Sequence, residues 1–167
     1  MNTYKVALIG DGGVGKSSFV VQHLHSRFES RYFSTICVEV HSLSFQTNRG
    51  RFELNVWDCA GQEKLGGLRD GYYLGSDIAL IFCDYTNKKS YKNLRHWTTN
   101  FKRMCPGKPI IYVANKNEGE QKFSDPLLVP ISTKTGYNIN EPILQVLRTL
   151  TGDTGIELSF DRVNAVL

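Results

Sequence analysis

The stretch VALIGDGGVGKSSFV, residues 6–20, decides the architecture. Residues 6–9 are apolar and read as a buried strand, and residues 16–25 read as a helix opening on glycines. Between them GDGGVGKS, residues 10–17, fits G-x-x-x-x-G-K-[ST] in the strand–loop–helix context that gives the pattern its meaning. Glycines let backbone N–H groups curl around phosphate oxygens, and the helix N-terminus adds positive potential. Lys16 can reach the β- and γ-phosphates, and the Ser17 hydroxyl can ligate Mg²⁺. Gly12, Gly13, Val14, Gly15, Lys16, Ser17 and Ser18 form the expected phosphate-binding set. Gly12 and Gly13 leave room near a γ-phosphate. The motif specifies a nucleoside triphosphate and leaves open ATP or GTP, kinase or switch.

Working outward, short apolar runs alternate with longer helical patterns. Residues 38–45 and 52–57 flank TNRG, a hairpin signal. Residues 78–83 are a continuous apolar run, a central strand. Residues 90–104 carry Tyr91, Leu94, Trp97 and Phe101 at helical spacing. Strands follow at 109–114 and 127–131. Residues 138–150 carry the helical stripe Ile139, Ile143, Leu144 and Leu147. Alternating strands and helices imply a three-layer α/β fold with a mostly parallel sheet, and the hairpin adds one antiparallel edge strand. Ligands bind outside the carboxyl ends of such strands. Polar clusters follow Ile9, Trp57 and Ala114 at three such ends.

The second cluster lies in WDCAGQEK, residues 57–64. Asp58 ends a strand, where a carboxylate can hold Mg²⁺ directly or through water. Gly61 can offer its N–H to a terminal phosphate without a Cβ clash, and Gln62 can orient an attacking water. Thr35, in the polar stretch 26–35, completes the Mg²⁺ shell when a γ-phosphate is present. The third cluster is VANKNEGEQ, residues 113–121. Asn115 can hold neighbouring loops through its amide, and the Lys116 stem can lie along a purine face. The Glu118 carboxylate can accept from guanine N1–H and N2, donors that adenine lacks at N1. ISTKTG, residues 131–136, brings the Ser132, Thr133 and Lys134 backbone towards the base oxygen, and Phe28 can cover the base edge-on.

With 167 residues, 41% apolar and 22% charged, the chain suits one soluble domain over 1–167, with 152–167 as a short C-terminal extension. A net charge of +4 permits acidic partners and does not argue for direct nucleic-acid binding. Cys37, Cys59, Cys83 and Cys105 are scattered and read as reduced thiols of a cytosolic or nuclear protein. No signal peptide, membrane span or prenylation cysteine is expected. Trp97 reads as packing. Lys88, Lys89, Lys92 and Arg95 read as a solvated helix face, and the four histidines have no ligand spacing.

These motifs in this order resemble the Ras-like small GTPases with their P-loop fold, and within them the Ran group. EVHSLSFQTNRGRFELNVWDCAGQEKLGGLRDGYY, residues 39–73, is similar to Ran, as are GDGGVGKSSFV, YKN, GYN and LTGD. The resemblance spans about residues 4–160. It implies a monomeric GTP/GDP switch with Mg²⁺, with mobile regions near 27–38 and 59–73, slow GTP hydrolysis, an exchange factor and a GTPase-activating protein. It also implies importin/exportin-type transport receptors as partners and residence in nucleus and cytoplasm. The runner-up is a weakly hydrolysing GTP-bound binding module or decoy for Ran partners. A third reading is an ATP- or other triphosphate-dependent enzyme.

Four departures from Ran carry expectations. Glu118 stands in place of aspartate, which keeps the charge, displaces it by about a bond length, and weakens guanine affinity by roughly 10- to 100-fold. Residues 119–131 are too few to hold both a helix and a strand, so the family's helix between the last two strands is expected to be absent, with Phe123 plugging the gap. The chain ends soon after GDTGIELSF, without Ran's C-terminal extension and acidic tail. Leu65 replaces the aromatic that Ran inserts into its import carrier.

Overall fold

A computed structural model describes residues 2–25, 38–59 and 69–159. Phe28, Thr35, Cys37, Gly61, Gln62 and Leu65 lie outside the described residues. The chain runs β1 (Asn2–Gly10), α1 (Lys16–His25), β2 (Val38–Thr47), β3 (Gly50–Cys59), a 3₁₀ turn (Arg69–Tyr73), β4 (Ile78–Asp84), α2 (Lys88–Met104), β5 (Ile110–Asn115), β6 (Leu128–Pro130) and α3 (Glu141–Thr151). One six-stranded sheet has the order β2-β3-β1-β4-β5-β6. All pairs are parallel except β2 with β3, which form the expected hairpin and make β2 an antiparallel edge.

Every residue of β4 is buried, as expected of a strand covered on both faces. Strand alternation sorts the sheet's side chains. Val6, Leu8, Leu80, Phe82 and Val113 join Phe19 and Val20 of α1 and Ile143, Val146 and Leu147 of α3. Ala7, Ile9, Ala79, Ile81, Cys83 and Ala114 join Leu94, Trp97 and Phe101 of α2 and Tyr73 of the 3₁₀ turn.

Element limits differ from expectation where local chemistry acts. α2 starts two residues early because Asn87 caps it, its side chain accepting from the Lys89 N–H at 3.0 Å. α3 starts late because Asn138 sits at φ 52° and Pro142 occupies the first turn; it closes on Gly152 at φ 72°. The five-residue 3₁₀ turn was too short to leave a periodic signal.

Between β5 and β6 there is no helix. The crossover is instead pinned by named contacts. The Lys122 N–H donates to the Tyr85 carbonyl at 2.8 Å. The Tyr91 hydroxyl donates to Asp125 at 2.9 Å. Phe123 stacks on Tyr91 at 4.3 Å and on Tyr85 at 5.2 Å between ring centroids, so it does plug the space left by the helix. After α3 the chain extends the hairpin end: the Ser159 N–H donates to Gln46 and Leu158 bridges Thr47. Cys59, Cys83 and Cys105 are buried free thiols. Among the described residues no helix is long and apolar enough to cross a membrane.

Candidate functional site

Because β1, β3, β4, β5 and β6 are parallel, their carboxyl ends share one edge. Leu8 pairs with Asp58, Gly10 with Phe82, Asp84 with Asn115, and Ala114 with Pro130. β1 lies between β3 and β4, so its loop leaves the sheet at the topological switch point.

That loop needs glycine at two places for steric reasons. Gly10 has φ 145°, and a Cβ there would lie 2.5 Å from the Phe82 carbonyl oxygen. Gly15 has φ 100°, and its Cβ would run into the Asn115 side-chain amide. Lys16 opens α1 with its side chain folded into the loop, where its Nζ donates to the Gly10 and Asp11 carbonyls, each at 2.8 Å. Burial pushes its amine down to about 8, opposed by the nearby Asp58 carboxylate. A polyphosphate beside it would raise that value by charge attraction.

The Ser17 hydroxyl donates to Asp58 Oδ2. Asp58 is fully buried, and its Oδ1 has no hydrogen-bond partner among the described residues. Burial pushes its carboxyl up, while the Ser17 hydrogen bond and the Lys16 charge pull it down. A buried carboxylate oxygen left open beside a serine hydroxyl is a set of hard oxygen donors, so Ser17 and Asp58 fit Mg²⁺, with Asp58 able to act through water.

At the far end of the edge Asn115, 1% exposed, ties three segments together. Its Nδ2 donates to the Val14 carbonyl at 3.0 Å and to Thr133 Oγ1 at 3.1 Å, and its Oδ1 accepts the Thr133 N–H at 3.0 Å. The expected loop-holding amide is thus in place, joining the phosphate loop to the 131–136 loop. Lys116 takes φ 64°, and its Nζ pairs with Asp84 Oδ2 at 2.6 Å. Asp84 is itself held, its Oδ1 accepting from the Thr86 N–H and hydroxyl at 2.8 and 2.6 Å. The ion pair fixes the Lys116 ammonium at the carboxyl end of β4. Glu118 is exposed.

Of the three backbone donors expected to face a base oxygen, two are engaged internally. The Ser132 N–H donates to the Tyr137 carbonyl and the Thr133 N–H to Asn115. The Lys134 N–H has no partner among the described residues and is the donor open to a ligand. Gly12 and Gly13 are exposed, and Val14 is buried in the core.

Sequence reasoning overlooked Asp84 and the packing of Gly15 on Asn115. A polar residue closing an otherwise apolar strand beside the Asn-Lys cluster was the available signal for Asp84. Nothing local marks Gly15 as touching a residue one hundred positions away. Residues 5–143, from β1 into α3, match the family model of the Ras family. That span holds each loop just described, and the chain belongs to the Ras family of GTP-binding switch proteins.

Proposed function

We propose that this chain is a Ran-like switch that hydrolyses GTP to GDP and acts in or on nucleocytoplasmic transport, moving between nucleus and cytoplasm. The observation that carries the nucleotide reading is the Asn115 amide, which joins the Val14 carbonyl of the phosphate loop to Thr133 beside the base loop. A ligand spanning those loops has phosphates at one end and a base at the other. The Ran-like part rests on residues 39–73 of the sequence.

In this reading Lys16 and the loop N–H groups spread the charge that develops on the phosphates. Mg²⁺, if held by Ser17 and Asp58, would supply positive charge against the phosphates. Ser17 and Asp58 hold that side of the site, with Thr35 joining them. Gln62 positions the attacking water, and the Gly61 N–H meets the γ-phosphate. Intrinsic turnover is slow, on the order of 10⁻⁴ to 10⁻² s⁻¹, and an activating protein adds ~10³–10⁵. Loss of the γ-phosphate releases Thr35 and Gly61 and lets the two switch segments relax. Phe28, Lys116, Glu118 and Lys134 set the guanine preference. Importin/exportin-type receptors read the GTP form.

Displacement of labelled GDP by GTP, ATP and XTP tests the base assignment. GTP should compete far better than ATP; equal displacement by ATP would sink it. Glu118→Asp should tighten GDP by roughly 10- to 100-fold, the return of a well-placed charge-assisted pair. Single-turnover hydrolysis of γ-labelled GTP tests the enzyme. Retained GTP with no phosphate release would leave the second reading, a GTP-bound module that occupies Ran's receptors. The crossover without a helix favours that reading, because it alters the surface a receptor meets. Capture of importin-type receptors by GTP-loaded but not GDP-loaded chain tests the transport role.

A further inference from the structure

A carboxylate is out of place in a loop that surrounds a polyanion, yet Asp11 is the second residue of this one. Its carboxylate is spoken for. Oδ2 accepts from Asn93 Nδ2 at 2.7 Å, and Oδ1 accepts from Trp97 Nε1 at 2.7 Å. Asn93 and Trp97 are one helical turn apart on α2, so their side chains leave the same face. Trp97 is 1% exposed and cannot follow a shift of the loop without disturbing the core. The Asp11 carbonyl, with that of Gly10, accepts the Lys16 ammonium. A short path therefore runs from α2 through the Asp11 carboxylate and backbone to the phosphate-binding lysine.

We infer that Asn93 and Trp97 are positioning residues for the phosphate grip. They hold the Asp11 carboxylate on α2, keep its charge off the phosphates, and aim the two carbonyls that set Lys16. Charge-assisted hydrogen bonds of this length are among the stronger ones in proteins. Releasing one should speed nucleotide loss by two routes, a looser lysine and a carboxylate free to approach the phosphates. The base end of the site, built on β5 and the 131–136 loop, is untouched by the change. This inference rests on the nucleotide reading above.

The test is dissociation of a fluorescent GDP analogue from the full chain with Mg²⁺, chased by excess GDP. Asn93→Ala should release it roughly 10-fold faster than wild type, the effect of one lost charge-assisted bond. Asn93→Asp, which sets two carboxylates together, should be faster still. Asp11→Asn combined with Asn93→Asp exchanges donor and acceptor and should return the rate to within about threefold of wild type. GMP lacks the β-phosphate that Lys16 grips, so its competition constant should stay within about twofold in Asn93→Ala. Rescue by the exchange and the split between GDP and GMP are not expected of a merely structural role. GDP release within twofold of wild type in Asn93→Ala, or equal weakening of GMP and GDP, overturns the inference. A wild-type chain that does not retain GDP overturns the nucleotide reading and this inference with it.

Discussion

The two faces of this sheet are covered by different means. One carries two helices, α1 and α3, whose side chains, aliphatic apart from Phe19, meet large strand residues such as Leu8, Leu54, Leu80 and Phe82. Among the described residues the other carries one helix, and its strand residues include the small Ala7, Ala79, Cys83 and Ala114 beside Ile9 and Ile81. Large rings descend into the space those residues leave, Trp97 and Phe101 from α2 and Tyr73 from the 3₁₀ turn. At the helix-free crossover between β5 and β6, Phe123 stacks on Tyr85 and Tyr91. A short crossover thus suffices because aromatic area replaces helical area, each ring burying more surface than an aliphatic chain. The same asymmetry reaches the site. The first face meets it through the start of α1, the second through Asp11, Asn93 and Trp97.

The largest expected break is where the two faces share an edge. Gly15→Ala forces a Cβ into the Asn115 amide at a positive φ. About 3 kcal/mol of clash and backbone strain opposes the bound geometry. Equilibrium GDP binding should weaken by at least about 100-fold; near-wild-type affinity would show that Asn115 does not join the loops in solution.

Among effects on stability rather than on binding, the largest is a contrast between the faces. Phe101→Ala should cost ~3–5 kcal/mol and Leu147→Ala ~2–4 kcal/mol in urea unfolding at saturating GDP. Both side chains are 0% exposed, so the difference reads how much each face depends on single residues. A larger loss at Leu147 would reverse the comparison. Phe123→Ala should cost about 2 kcal/mol, less than a core ring because Phe123 is half-buried. GDP affinity should hold. A fall in affinity that matches the loss of stability would mean the crossover supports the base loop as well as the sheet.

The smallest effect lies on the first face and is set by pH. His23 stands edge-on to Phe19 and Phe45, and its Nε2–H donates to the Ile139 carbonyl. Burial pushes its pKa down from 6.5 to about 4. The unfolded chain therefore takes up a proton first as pH falls. This contribution is whole above pH 6.5 and is lost between 6.5 and 4. The ring is partly exposed, so the loss is on the order of 1 kcal/mol. Comparing urea midpoints at pH 7 and 5 for wild type and His23→Gln reads it; parallel shifts in both proteins would exclude His23 as the source.

Most of the fold was legible. Each strand and helix expected from periodicity is present, and α1 spans the residues read for it. The missing helix followed from counting residues between Glu118 and Ser132, since chain length is a hard constraint. The loops that carry the candidate phosphate, base and metal residues were legible because such chemistry demands particular residue types at set spacings. Asp11 and Asp84 were not. An aspartate at a strand end or in a loop has many ordinary uses, and its partners here lie at Asn93, Trp97 and Lys116.

Residue order alone is enough to place three polar loops at one sheet edge and to specify a triphosphate, because alternation, glycine placement and the Gly-Lys-Ser step act over a few neighbouring positions. It does not decide which donors remain open to a ligand. That choice came from long-range closure. Asn115 engages the Thr133 N–H, Tyr137 engages that of Ser132, and α2 takes the Asp11 carboxylate. Most buried polar groups are paired, and only the folded chain determines which partner reaches each of them.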